Sequence, residues 1–413
     1  MKVVYFDYWT GGIHNFVPLD KELKKLNHET MLFHIGSFNE HVEVKEKIGD
    51  IECFDISYFD TKFIYKALEK IKPDVVISLN TTYIFDRVLV QSCKLLGIKT
   101  IFMMHGIRAT GTNLKDSIVQ MEKSYGGIYK KIAKASKYFS TVIPNYIFSS
   151  YKFNILEFLK LRFLRVLIDY FLNTGRAFYF PSYSIELLHD KCLVYAIKYI
   201  DYYKQVGYRE EQIFVVGDPK QDTLFARIAN KDFCITNLPQ KIQELIENNH
   251  KYAIYLEDSF VESNNLFGWT KEDRNYQISE IANRLKHDGI KLVLKVHPTT
   301  CISCININSD NCIVVEKIDL ESLIWHSFFC IAHISSTVNI AVLMQKPVVV
   351  PQWGKSAYVT DYFISNGIGN PWASLNDNLN LQINKESREL YIETDICIDT
   401  SNSLNLIIKE ILN

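Results

Sequence analysis

Residues 328–350 read FFCIAHISSTVNIAVLMQKPVVV. Phe328 to Ala332 is an apolar run too short for a helix and suited to a strand buried on both faces. Ser335-Ser336-Thr337 places hydroxyl groups where a helix would start. Thr337 to Met344 then carries a helical apolar pattern, and Pro347 to Val350 is a second strand rich in β-branched residues. Strand, helix and strand in succession predict a parallel sheet covered by helices.

The unit recurs on both sides. Upstream, Tyr252 to Leu256 reads as a strand, Gln277 to His287 as a helix closed by Gly289, and Lys291 to Val296 as a strand. Glu321 to His326 is a short helix. At the start of the chain, Val3-Val4-Tyr5-Phe6 is followed by Gly11-Gly12 and the helical spacing Phe16, Leu19, Leu23, Leu26. Pro73 to Ser78 is a strand, Tyr83 to Leu96 a helix ending at Gly97, and Lys99 to Met104 a strand. The predicted fold is α/β, with two Rossmann-like domains, 1–235 and 236–413, facing across a cleft. Ligands in such sheets bind beyond the strand carboxyl ends, so the cleft is the expected site. No solenoid-period repeat or low-complexity tract appears.

Composition agrees. A chain of 413 residues exceeds one domain at about 150 residues each. Formal net charge is −1, so no global field would draw nucleic acid. MKVVYFDYWTGG lacks the apolar stretch of a signal peptide, and no apolar run approaches the roughly 18 residues of a spanning helix. A cytoplasmic protein is expected. The nine cysteines are irregularly spaced and read as reduced thiols rather than a disulfide framework. Cys301-Ile302-Ser303-Cys304, with Cys312 nearby, lacks the second ligand pair of a zinc site and reads as a loop or strand edge. Neither metal nor cofactor is expected.

One stretch, about 115–183, breaks the alternation as a helical insertion in the first domain. It is basic (Lys123, Lys130, Lys131, Lys134, Lys137) and, from Ile147 to Leu172, aromatic. Two readings stay open: helices lying on an anionic membrane at the inner face, or helices packed on the first domain with a solvated basic face.

The strand Lys291 to Val296 runs into His297-Pro298, and the proline stops it, leaving His297 at the carboxyl end. An imidazole beside Lys295 suits donation to a phosphate or its protonation on departure; a turn-capping histidine is the plainer alternative. Ser335, Ser336 and Thr337 surround exposed amides at a helix start, which favours an anion; a simple N-cap is the plainer reading there.

Together KVHP (295–298) and HISSTVNIAVLMQKPVVVP (333–351) resemble the donor-binding half of GT-B glycosyltransferases. The resemblance is narrower to bacterial sialyltransferases and polysialyltransferases, with their His-Pro and Ser-Ser-Ser/Thr motifs. Capsular Kdo transferases, teichoic acid glycerophosphotransferases and UDP-GlcNAc 2-epimerases are similar in layout. It implies that His297, Ser335 and Ser336, with Thr337 beside them, contact the phosphate of a CMP-sugar. Gly217-Asp218-Pro219-Lys220-Gln221-Asp222 resembles a Gly-x-Pro-x-x-Asp element near the domain junction of that fold.

The sialyltransferases also carry an acidic pair followed by Gly, holding the general base. Here Glu257-Asp258-Ser259 lacks the Gly and reads as lining the cleft or capping a loop. The base is therefore sought in the first domain. Met103-Met104-His105-Gly106-Ile107-Arg108 sets a histidine at another strand's carboxyl end, similar to a His-Gly of teichoic acid polymerases thought to act on the acceptor hydroxyl. His105 is the candidate base, with a supporting turn residue as the alternative and Asp7 and His14 in reserve. Gly11, Gly12, Arg108 and Gly217 are candidate binding residues.

The expected activity is metal-independent, inverting transfer of a sialic acid-like or Kdo-like sugar from a CMP-sugar to a cell-surface glycan or glycolipid. The alternatives are a UDP-GlcNAc 2-epimerase-like isomerase, disfavoured because Ser335-Ser336 stands where that family has Gly-Gly, and a CDP-alditol phosphotransferase of the teichoic acid type. A third reading is a non-catalytic nucleotide-binding protein.

Overall fold

The computed structural model describes residues 1–38, 41–81, 84–105, 140–153, 187–262, 268–358, 361–396 and 402–413. The chain forms two compact units. In the first, β1 (Lys2–Asp7), β2 (Glu29–His34), β3 (Lys45–Ile48), β4 (Ile51–Asp55), β5 (Val75–Ser78), β6 (Lys99–Met103), β7 (Lys191–Val194) and β8 (Ile213–Val215) pair in the order β3-β4-β2-β1-β5-β6-β7-β8. Every pairing is parallel except the β3–β4 hairpin. In the second, β9 (Tyr252–Leu256), β10 (Lys291–Lys295), β11 (Cys312–Val315), β12 (Phe329–Ile331), β13 (Val348–Pro351) and β14 (Asn370–Trp372) form a parallel sheet ordered β11-β10-β9-β12-β13-β14.

Strand periodicity divides each core into two layers. Val4 and Phe6 of β1 pack with Ile64, Ala67 and Leu68 on one face. Val3 and Tyr5 face the other way, onto Leu19, Leu23 and the C-terminal Ile407 and Ile411. In the second unit, Ile254, Leu256 and Val293 meet Leu323, Val338 and Val342, while Tyr255, Leu292 and Leu294 meet Ile278, Ile281 and Leu285. Burial on both faces is what the continuous apolar strands require.

The units divide differently from the expected 1–235 and 236–413. The break falls between Lys220 and Gln221, and Asn402–Asn413 belongs to the first unit. The helix Pro219–Asn230 turns Leu224 into the second core. The helix Ser403–Leu412 buries Ile407 and Ile411 in the first, and Lys191 pairs with Glu410 at 2.7 Å. An amphipathic helix carries no sequence label saying which sheet it covers.

Most of 115–183 lies outside the described residues. In the described helix Val142–Phe153, Val142 and Tyr146 are core residues. Asn145 Oδ1 accepts the Ile64 amide at 2.9 Å, Ser149 donates to Gln91 at 2.7 Å, and Phe148 packs on Phe63. This part is packed onto the first unit. No helix among the described residues is long and apolar enough to cross a membrane.

Candidate functional site

From β9 the chain of the second unit moves outward through β10 to β11, then returns to β12 on the opposite side of β9. The carboxyl ends of β9 and β12 are therefore a topological switch point, where open α/β sheets bind ligands. Glu257 and Asp258 stand there, 4% and 9% exposed. Glu257 Oε2 accepts the His297 amide at 2.8 Å and the Thr300 hydroxyl at 2.9 Å. Asp258 Oδ2 accepts the amides of His333 and Ile334 at 3.4 and 3.3 Å. One acidic pair thus braces both turns, which follow strands lying about 10 Å apart on either side of β9.

His297 is half-buried. Its Nδ1 accepts from the Thr299 amide at 3.2 Å, with the Thr299 hydroxyl 2.8 Å away. With Nδ1 an acceptor, the neutral ring carries its proton on Nε2, a donor suited to an anionic oxygen. Burial, then the nearby Lys295 charge, holds its pKa below the usual histidine value, so the ring is neutral near pH 7. Lys295, half-buried, donates to the Val296 carbonyl at 2.6 Å, and burial lowers its pKa.

Ser335 and Thr337 are half-buried and Ser336 exposed. Ser335 Oγ accepts the Thr337 amide at 3.3 Å, the plain turn role, while its O–H remains a donor. The amides of Val338 and Asn339 bond back to the Ser335 and Ser336 carbonyls at 3.1 and 3.2 Å as the helix Val338–Leu343 begins. His333, 1% exposed, bonds Tyr255 through Nε2 at 3.0 Å and packs against Phe260 and Trp269. Burial lowers its pKa to about 3; it supports the turn as a neutral ring.

Burial also raises the Glu257 pKa, and pushes Asp258 up to about 7 against the lowering effect of its two amides. Arg274, 2% exposed, lies 2.8 Å from Glu262 and 3.6 Å from Glu257. Sequence reasoning undervalued Glu257 and Asp258 and missed Arg274. Two acids placed directly after a fully apolar strand were the available signal, since an acid there must bond something.

The first sheet has its own switch between β1 and β5. Asp7 ends β1, 5% exposed, and burial raises its pKa to about 6 although the Tyr8 and Gly12 amides oppose the shift. A Cβ on Gly12 would run into the Asp7 carboxylate, and one on Gly11 would lie 2.5–2.7 Å from the Trp9 indole. Exposed His14 meets the Gly11 carbonyl through Nδ1 at 2.9 Å, and Lys220 bonds Asn15 at 2.8 Å. Gly217 is buried with φ +79°, a left-handed turn that starts the helix carrying Lys220. His105 is exposed just beyond β6, at the sheet edge that also presents Asp7, with β5 between their strands. Arg108 and Gly106 lie outside the described residues. Also missed was His189, buried against Ser78 at 2.9 Å and Thr81 at 3.3 Å, for which the sequence offered no pattern. No metal-ligand cluster occurs among the described residues.

No protein-family model and no curated protein matches the sequence. Solved structures do. The UDP-GlcNAc 2-epimerase of Methanocaldococcus jannaschii, in complex with UDP-GlcNAc and UDP, superposes with TM-score 0.53 at 11% identity over 100% of both chains. MnaA of S. aureus with UDP gives 0.51 at 12% identity over 99% of this chain and 95% of the other. The glycotransferase of kitacinnamycin gives 0.51 at 13% over 99% and 98%. At such identities the likeness speaks for fold and for no narrower family. The chain is an α/β protein of two parallel-sheet, Rossmann-like units with the GT-B fold shared by these epimerases and glycosyltransferases.

Proposed function

We propose that this chain is a nucleotide-sugar-dependent enzyme that transfers the sugar to an acceptor hydroxyl. The observation carrying the reading is the brace from Glu257 and Asp258 to the turns of His297 and Ser335 at the β9–β12 switch. In this reading His297 Nε2–H and the hydroxyls of Ser335, Ser336 and Thr337 hold the donor phosphate, and Lys295 adds positive charge nearby. Donors fixed before reaction stabilise the charge that grows on a leaving phosphate. In the first unit His105 takes the acceptor proton, with Asp7 as the reserve, and Gly11, Gly12, Arg108 and Gly217 are the proposed binding residues. The acceptor oxygen then bonds the anomeric carbon as the carbon–oxygen bond to phosphate breaks, and the nucleotide leaves.

The motif resemblance favours a CMP-linked, sialic acid-like or Kdo-like donor, a cell-surface glycan or glycolipid acceptor, and inversion. The fold likeness to an epimerase holding UDP-GlcNAc and UDP favours a second reading, isomerisation of a UDP-sugar at C2. Both place the nucleotide in the second unit.

Product analysis separates them. Incubation with CMP- and UDP-sugars and an acceptor mixture should release free nucleotide with a glycoside product. Epimerisation would instead give the C2 epimer, with solvent deuterium at C2. Recovery of every donor unchanged, without nucleotide release, overturns both.

A further inference from the structure

The segment Cys301-Ile302-Ser303-Cys304 follows directly on the turn that presents His297. Its backbone closes with the Cys304 amide donating to the Cys301 carbonyl at 2.9 Å, around the 3-10 turn Ile302–Cys304. A turn closed this way holds its end Cα atoms within about 7 Å, compatible with disulfide geometry. Cys301 is exposed and Cys304 half-exposed, so reagents reach the pair.

Polar groups lie against both sulfurs. Lys271 Nζ donates to Cys304 Sγ at 3.2 Å. Lys271 opens the helix Lys271–His287, whose positive end lies at the same place. The Ser303 hydroxyl lies 3.0 Å from Cys301 Sγ; with the Ser303 amide and the Cys304 thiol it draws the Cys301 pKa below its usual value. Elsewhere burial has the opposite effect, raising Cys312 to about 11 and Cys330 to about 12. Partly exposed thiols in electropositive surroundings are the reactive kind, and buried ones are inert.

We propose that Cys301 and Cys304 form a thiol–disulfide exchange site that passes two electrons to small-molecule disulfides. The Cys301 thiolate attacks one sulfur of the small disulfide and expels the first thiolate. Cys304, its sulfur beside Lys271 Nζ, then gives up its proton, attacks Cys301 Sγ and expels the second. Two electrons pass to the small disulfide, and the two thiol protons end on the departing thiols, leaving a Cys301–Cys304 bond. The pair shares a support with the His297 turn. The Cys304 carbonyl accepts from Arg274 at 3.3 Å and Asn275 at 3.2 Å, and Arg274 pairs with Glu257, which holds the His297 amide.

The test treats the full chain with glutathione disulfide and follows intact mass and peptide maps, with exposed Cys234 as the internal comparison. Wild type should lose two hydrogen atoms at Cys301 and Cys304 while Cys234 stops at a glutathione adduct. Cys304→Ser should stop at an adduct on Cys301, and Lys271→Met should slow ring closure by about 3- to 10-fold. A stable glutathione adduct on Cys301 of wild type, or both thiols surviving after Cys234 has reacted, would overturn the proposal.

Discussion

Glu257, only 4% exposed, accepts the His297 backbone amide through Oε2 at 2.8 Å. A buried carboxylate with two donors and an Arg274 partner fixes where the His-Pro turn sits. Glu257→Gln keeps the shape but leaves Arg274 with less compensating charge. It should cost about 1–3 kcal/mol and weaken nucleotide binding together with stability. Urea unfolding and calorimetric titration check this; unchanged values for both would remove the brace from the account.

Asp258 gives a pH signature. Its pKa rises from 3.8 in the unfolded chain to about 7 in the fold. Between those values the folded state keeps a proton that the unfolded state releases, so the contribution of this group falls as pH rises and is lowest above 7. Asp258→Asn cannot ionise. It should gain on wild type by on the order of 2 kcal/mol between pH 5 and pH 8, read from urea midpoints. Parallel pH profiles for the two proteins would contradict the assignment.

The glycines before the first long helix differ in purpose. Gly12 lets its backbone approach the buried Asp7 carboxylate, whereas Gly11 faces the ring of Trp9, which is 62% exposed and can swing away. Gly12→Ala should cost about 1–3 kcal/mol and Gly11→Ala only a few tenths. Thermal unfolding of both variants checks this, and equal losses would be inconsistent with it.

Much of this architecture was legible because apolar strands and helical spacings are local signals. Tyr252 to Leu256, Lys291 to Lys295 and the span from Phe329 to Pro351 form the elements their patterns predict. The prolines and hydroxyls bounding them sit at the expected strand ends. What resisted reading was long-range. Nothing near Ile407 shows that it packs with Leu19 and Leu23, so the return of the C-terminal helix to the first unit was missed. The roles of Glu257, Asp258 and Arg274 likewise come from partners 12 to 76 positions away. Sequence spacing alone does not pair such groups.

The two histidines should separate by function. His105→Ala should lower turnover by about 10²–10⁴-fold while nucleotide affinity stays within twofold, measured by initial rates and calorimetry. Retained turnover would move the base to another residue, with Asp7 the next to test.

The most direct test of the phosphate site is nucleotide binding to wild type, His297→Ala and Ser335→Ala/Ser336→Ala, followed by thermal shift with UDP, CMP and their sugars. At about one hundred times the dissociation constant, a true ligand stabilises wild type by about 2.7 kcal/mol. The account predicts such a shift for one nucleotide class, reduced at least tenfold in affinity by either variant. Equal shifts in all three proteins, or none with any nucleotide, would contradict it.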